Sequence, residues 1–219
     1  RDVERSRGLG DVYKRQDQTQ SIFATAQLGW QSKLYLDVTG RVDWASALAW
    51  TNSKNVAYPS VGLSAILTDL LPIKNDVLTF LKVRGSYSEV GNAPTRYIAY
   101  QTYPYQSGIP TTASTYPNTD IKPERTKAWE VGLQSNFWGD KLSLNVSLYK
   151  TSTYNQLFNP SLSASSGYTS IYINGGQVDN KGIELSLALN QPLGPVQWNS
   201  TFTYTLNRNK ICLLYTSPS

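Results

Sequence analysis

In residues 141–149, KLSLNVSLY, apolar and polar side chains alternate position by position. Leu142, Leu144, Val146 and Leu148 fall on one face of an extended chain, and Ser143, Asn145 and Ser147 on the other. Period-two alternation marks a β-strand, because successive Cβ atoms point to opposite faces. The same pattern governs residues 196–206, where Val196, Trp198, Phe202, Tyr204 and Leu206 oppose Gln197, Asn199, Thr201, Thr203 and Thr205. In residues 33–44, Leu34, Leu36, Val38, Val42 and Trp44 oppose Tyr35, Asp37, Thr39, Arg41 and Asp43. Comparable patterns run through residues 22–30, 61–67, 81–87, 129–137 and 183–189, giving about eight strands. No apolar run approaches the roughly 20 residues that a membrane-spanning helix needs.

The links between strands are ordered as well. Short ones (31–32, 139–140 and 191–195) alternate with long ones (45–55, 92–123 and 155–175), while 68–76 is intermediate where a short link is due. Short turns at one end and long loops at the other are the layout of an outer-membrane barrel. A soluble β-sandwich also alternates, but three features favour the barrel. Strands of about 10–13 residues suit a tilted bilayer crossing. Trp30, Trp44, Phe137, Trp138 and Tyr149 sit at strand ends, where interfacial girdles belong. The face opposite the apolar one carries charge at Lys82, Arg84 and Glu130; a hydrated lumen accommodates this and a dry sandwich core does not. The expected fold is all-β: an antiparallel transmembrane β-barrel fragment of about eight strands in an open curved sheet.

Both ends lack this alternation. Residues 6–16, SRGLGDVYKRQ, and 212–219, CLLYTSPS, resemble translations of a transposase sequencing adapter, read forward at one end and as its reverse complement at the other. Residues 1–16 and 212–219 are therefore expected to be adapter-derived, leaving 17–211 as native barrel sequence. The leading segment carries five basic residues against three acidic, so setting it aside lowers the net charge from +5 to +3. That small basic excess gives no support for a nucleic-acid partner. The sole cysteine, Cys212, falls in the tail, and the chain has no His or Met. The usual zinc, haem and thiolate chemistries are left without ligands, and no metal or other cofactor is expected.

Several motifs resemble one family. Residues 121–132, IKPERTKAWEVG, resemble the P-E-x-T-x-x-x-E-x-G signature of TonB-dependent outer-membrane receptors, matched by Pro123, Glu124, Arg125, Thr126, Glu130 and Gly132. Residues 174–184, NGGQVDNKGIE, resemble the N-x-G-x-x-x-N-x-G-x-E segment through Asn174, Gly176, Asn180, Gly182 and Glu184. LSASSGY (162–168), YPSVGL (58–63) and LKVRGSYSEVGN (81–92, with Arg84, Gly91 and Asn92) are similar to segments of the SusC/RagA subgroup. The resemblance covers nearly all of 17–211. It implies part of a plugged barrel of about 22 strands, located in the outer membrane and contacting its lipid. It further implies a SusD-like lipoprotein partner, energy from the TonB complex through a segment outside this chain, and a glycan or peptide substrate.

The implied function is import of oligosaccharides or other large nutrients. Within that reading, Lys82 and Arg84 are candidate partners for Glu130, and Gly175, Gly176 and Gly182 are expected to permit a bulge or close approach. The loop 92–123 holds Tyr97, Tyr100, Tyr103, Tyr105 and Tyr116 among prolines. Their rings offer stacking area for a ligand, or they pack on one another. The competing readings are a soluble carbohydrate-binding β-sandwich, a passive outer-membrane pore, and an enzyme using carboxylates among Glu124, Glu130, Asp179 and Glu184. No nucleophile motif supports the enzyme, and no catalytic residue is expected.

Overall fold

The computed structural model describes residues 17–71, 73, 75–94, 98–100, 103, 105–110 and 114–212. Of the two ends expected to be adapter-derived, only Cys212 lies inside the described residues. Eight long strands make one sheet: β1 (Thr19–Trp30), β2 (Leu34–Ala45), β3 (Val56–Ile66), β4 (Leu78–Asn92), β5 (Glu124–Phe137), β6 (Leu142–Tyr154), β7 (Gln177–Leu193) and β8 (Val196–Cys212). Each pairs antiparallel with the next in sequence order. The sheet is open, since β1 and β8 do not pair with each other. A single sheet, rather than two packed face to face, removes the soluble sandwich from consideration.

Directly opposed residues in an antiparallel ladder share a face, so the register fixes both faces. One row reads Val83–Leu133–Val146–Leu185–Tyr204 across β4 to β8. The next toward the loops reads Gly85–Val131–Leu148–Ile183–Leu206. These rows form the outward apolar band. Its side chains stay accessible, with Val131 at 56% and Leu148 at 51% exposure, because nothing among the described residues covers them.

Buried apolar residues among those described are Leu48, Val56, Ile98, Ala99 and Ile121, all at the long-loop end. The sheet thus has no core of its own, and what dry packing exists lies beneath the loops. Two-residue strands organise those loops: Leu157–Phe158 pairs with Ile173–Asn174, Thr115–Tyr116 with Ser170–Ile171, and Tyr105–Gln106 with Ile109–Pro110.

Strand limits differ from those expected. The strands run 11 to 17 residues, because their loop ends keep alternating after the apolar residues give way to charged ones. Glu124 and Arg125 accordingly open β5, ahead of the pattern read over 129–137. Leu67 leaves the strand for a short helix, Leu67–Leu70, which fills the intermediate link. Pro59 sits one residue before the β3–β4 ladder begins at Ser60, so its missing N–H forfeits no bond on that side. Tyr149 is not a girdle residue: it opposes Glu130 and Gly182 and therefore lies on the inner face. The outward aromatics at that level are Tyr87 and Trp129, directly opposed with ring centroids 4.4 Å apart.

Val146 lies mid-band, between Leu133 and Leu185. Val146→Arg in the complete protein should lose about 2–4 kcal/mol of folding free energy in bilayers, measured by urea titration of the heat-modifiable folded band. Unchanged folding would contradict the assigned face.

Candidate functional site

On the inner face, two adjacent rows gather five of the motif residues, Arg84, Glu130, Gly132, Gly182 and Glu184. One runs Ser64–Arg84–Gly132–Ser147–Glu184–Thr205 across β3 to β8. The other runs Gly62–Ser86–Glu130–Tyr149–Gly182–Asn207. Segments far apart in sequence thus meet as neighbours on one wall. Arg84 Nη2 donates to Glu130 Oε1 at 3.0 Å and to Ser147 Oγ at 2.8 Å, reaching across β5 to β6. Lys82 stands on the same face, beside Arg84, Glu130 and Asp37, around a cleft of about 290 Å³.

Two glycines make these arrangements possible. A Cβ on Gly132 would stand 2.5 Å from Arg84 Nε, so the bare backbone gives the Arg84 side chain its path over β5. A Cβ on Gly182 would stand 2.5 Å from both the Tyr149 hydroxyl and the Leu206 carbonyl oxygen. Tyr149 therefore lies flat over Gly182, an aromatic ring covering a strand glycine. Gly91 plays a similar part near the loops, where the Tyr58 hydroxyl donates to its carbonyl at 3.2 Å. The Arg84–Glu130 pair is 43% and 44% exposed, and half-exposed pairs contribute on the order of 0–1 kcal/mol. Its effect is to hold charge in a fixed place on the wall.

Above the wall, Asn174 ties two loops together. Its Oδ1 accepts from Lys122 N–H at 2.7 Å, while its Nδ2 donates to the carbonyls of Lys122 and Asn155, both at 2.8 Å. The amide thus imitates a strand partner. Asn52 Nδ2 donates to Asp120 Oδ1 at 2.7 Å, joining the β2–β3 loop to the same crown. Asn52, Asn118, Asp120, Asn155 and Asn174 line a cleft of about 580 Å³.

Of the five candidate tyrosines, Tyr97 and the Tyr105 side chain lie outside the described residues. Tyr100 pairs with Trp50, ring centroids 5.0 Å apart, and Tyr116 meets Tyr168 edge-on at 5.2 Å. Both remain about half exposed, as does Tyr103. Trp50 and Tyr168 carry no signal in the sequence, since ring pairing between loops leaves no local pattern. Pro123 is buried at the crown, directly before β5. Asn92 and Glu124 close the β4–β5 ladder, with Gly91 opposite Arg125. Arg125 approaches Glu89 at 3.6 Å. Asn180 faces Thr151 and Asn209, its Oδ1 buried without a hydrogen-bond partner among the described residues.

The four carboxylates weighed for catalysis divide between the faces. Glu130 and Glu184 share the inner rows, and Glu124 keeps their parity on β5, but Asp179 shares the outward face with Lys210. Among the described residues no group of three or more Asp, Glu, Cys or His could hold a metal ion. The inner wall spreads its hydrogen-bonding groups along both rows.

An antiparallel sheet that is apolar outside and polar inside, turned tightly at one end and crowned by loops at the other, is outer-membrane barrel wall. The chain belongs to the TonB-dependent receptor β-barrel family: the profile described as "TonB dependent receptor-like, beta-barrel" matches residues 3–217. TonB-dependent receptors P26 and P3 of Formosa agariphila are each 26% identical to it, over 89% and 92% of this chain. The chain spans about one fifth of their length, 20% and 21%. Among solved structures, the RagAB peptide importer in its open-open state superposes with TM-score 0.81 at 23% identity, covering 91% of this chain and 22% of that one. The siderophore receptor PirA from Pseudomonas aeruginosa gives 0.56 at 17%, covering 87% and 34%. These likenesses establish the fold. The family consists of transport receptors rather than enzymes, so the carboxylates are wall residues.

The glycine contacts rank two substitutions. Gly132→Ala should cost about 1–3 kcal/mol, at the low end because the flexible Arg84 side chain can swing aside. Gly182→Ala meets the Leu206 backbone carbonyl and should cost more. Urea unfolding of the complete transporter checks the order, and a reversed order would contradict the packing.

Proposed function

We propose that this chain is the wall segment of a transporter that imports oligosaccharides, peptides or other large nutrients across the outer membrane. A SusD-like lipoprotein covers the loop crown, and the TonB complex drives uptake through parts of the protein outside this segment. The observation that carries this reading is the pair of inner rows, which place Arg84, Glu130, Ser147, Tyr149 and Glu184 along one continuous wall. A half-exposed charge pair suits a hydrated lumen and not a dry core. The likeness to a structure described as a peptide importer, over nearly the whole chain, supports the nutrient class. The half-exposed Tyr100, Tyr103 and Tyr116, with the amide-lined cleft, supply stacking and hydrogen-bonding groups suited to sugar or peptide.

The test is uptake of labelled oligosaccharides and peptides by cells carrying the complete transporter, with and without a functional TonB complex. Uptake should fall to background when TonB is removed, and the lipoprotein should co-purify with the barrel. Uptake unchanged without TonB would replace this reading with a passive pore.

A further inference from the structure

Asn174 and Gly175 form the one Asn-Gly step in the sequence. Such a step cyclises readily, because a following residue without Cβ lets its backbone nitrogen approach the asparagine side-chain carbon. Here the step sits inside the contact that fastens two loops. Asn174 Oδ1 accepts from the Lys122 N–H at 2.7 Å, and Nδ2 donates to the Lys122 and Asn155 carbonyls at 2.8 Å each. The Gly175 N–H, whose nitrogen is the nucleophile for cyclisation, donates instead to the Gln156 carbonyl at 2.9 Å. Leu157–Phe158 pairs with Ile173–Asn174 and holds the backbone before the step extended. With amide and nucleophile both engaged elsewhere, cyclisation requires the crown to open locally.

Packing does not account for Gly175. A Cβ there would meet Phe158 Cδ2 at 3.5 Å, an ordinary contact, and its backbone is not left-handed. Gly176 differs: its φ is +76°, and a Cβ would crowd Phe158 at 3.2 Å. The fold therefore demands glycine at 176 and accepts alanine at 175, whereas glycine at 175 is what makes Asn174 reactive.

We propose that Asn174 is a modification site, converted to aspartate and isoaspartate when the crown opens, and that conversion unfastens the 155–175 loop from the 92–123 loop. The Gly175 nitrogen bonds to Asn174 Cγ, the Cγ–Nδ2 bond breaks, and ammonia leaves with the proton that Gly175 gives up. Water then opens the five-membered imide. Cleavage at Cγ gives aspartate; cleavage at the Asn174 main-chain carbonyl carbon gives isoaspartate, with an extra methylene in the backbone. Aspartate sets a carboxylate oxygen against the Lys122 and Asn155 carbonyls, where a donor stood. Isoaspartate also displaces the Leu157–Asn174 pair. The loops keep only their outer contacts, such as Asn118 Nδ2 donating to the Tyr172 carbonyl at 2.9 Å. The site needs only the folded crown, so its chemistry is independent of what the barrel transports.

The experiment ages the complete protein, folded in liposomes, in warm, mildly alkaline buffer. Fragmentation mass spectrometry of the tryptic peptide 151–181 reads aspartate and isoaspartate at position 174. Conversion should run about tenfold slower than in urea-unfolded protein. Asn118→Ala, which loses the Tyr172 contact, should speed it about fivefold. Gly175→Ala should slow it about tenfold with heat-modifiable migration unchanged. Limited proteolysis of the aged wild type should cut the 155–175 loop in converted molecules first, and Asn174→Asp should be cut there without ageing. No conversion in the folded protein, conversion as fast as in urea, or equal conversion in Gly175→Ala would overturn the proposal. So would equal protection of the loop in converted and unconverted molecules.

Discussion

Bilayer hydrocarbon offers no water to a backbone N–H or C=O, so a chain that crosses it in extended form must satisfy every such group from the neighbouring strand. The antiparallel ladders that join β1 to β8 in sequence order answer that demand between neighbours, and the rest of the structure follows from them. Once the backbone is committed to lateral pairing, side chains are left with two faces and two solvents. Lipid takes the face bearing Leu133, Val146 and Leu185, and water takes the face bearing Arg84, Glu130 and Ser147. Neither face is available for a core. The few buried apolar side chains, Leu48, Val56, Ile98, Ala99 and Ile121, consequently gather under the loops, outside the membrane.

The inner wall shows how a sheet without a core can still be specific. Gly132 and Gly182 remove a side chain where Arg84 and Tyr149 must cross to the adjacent strand. The cost in strand propensity at a glycine is offset by the group laid over it. The reward is positional: the guanidinium reaches both Glu130 and Ser147, and charge on the wall acquires a fixed address. At the crown the same economy uses amides, with Asn174 substituting for a strand partner to the Lys122 backbone. Motif residues that look like a binding signature in sequence are thus largely joinery, and the wall they hold is the surface proposed to line the transport path.

How much of this was legible beforehand depended on the range of the interaction. Alternation is local, so all eight strands and both faces could be read from residues such as Leu142 to Leu148. Their ends could not, because the pattern continues past the apolar band in charged residues such as Lys181, Arg208 and Lys210, where hydrophobicity no longer marks it. Parity with Trp129 and Val131 places Glu130 inward, where the register puts it. For Tyr149 the strand-end position points outward and parity with Ser143, Asn145 and Ser147 points inward, and parity prevails. The Asn174 strut and the Trp50–Tyr100 and Tyr116–Tyr168 pairs join loops distant in sequence, and no short-range pattern announces them.

The central claim is that one sheet separates lipid from water residue by residue. Nitroxide labels placed singly at positions 144 to 148 of β6, in the complete transporter with any other cysteine replaced by serine, test it by collision with oxygen and with a water-soluble nickel chelate. Labels at Leu144, Val146 and Leu148 should favour oxygen, and those at Asn145 and Ser147 the chelate, with strict alternation. Uniform accessibility along the five positions, or the opposite phase, would contradict it.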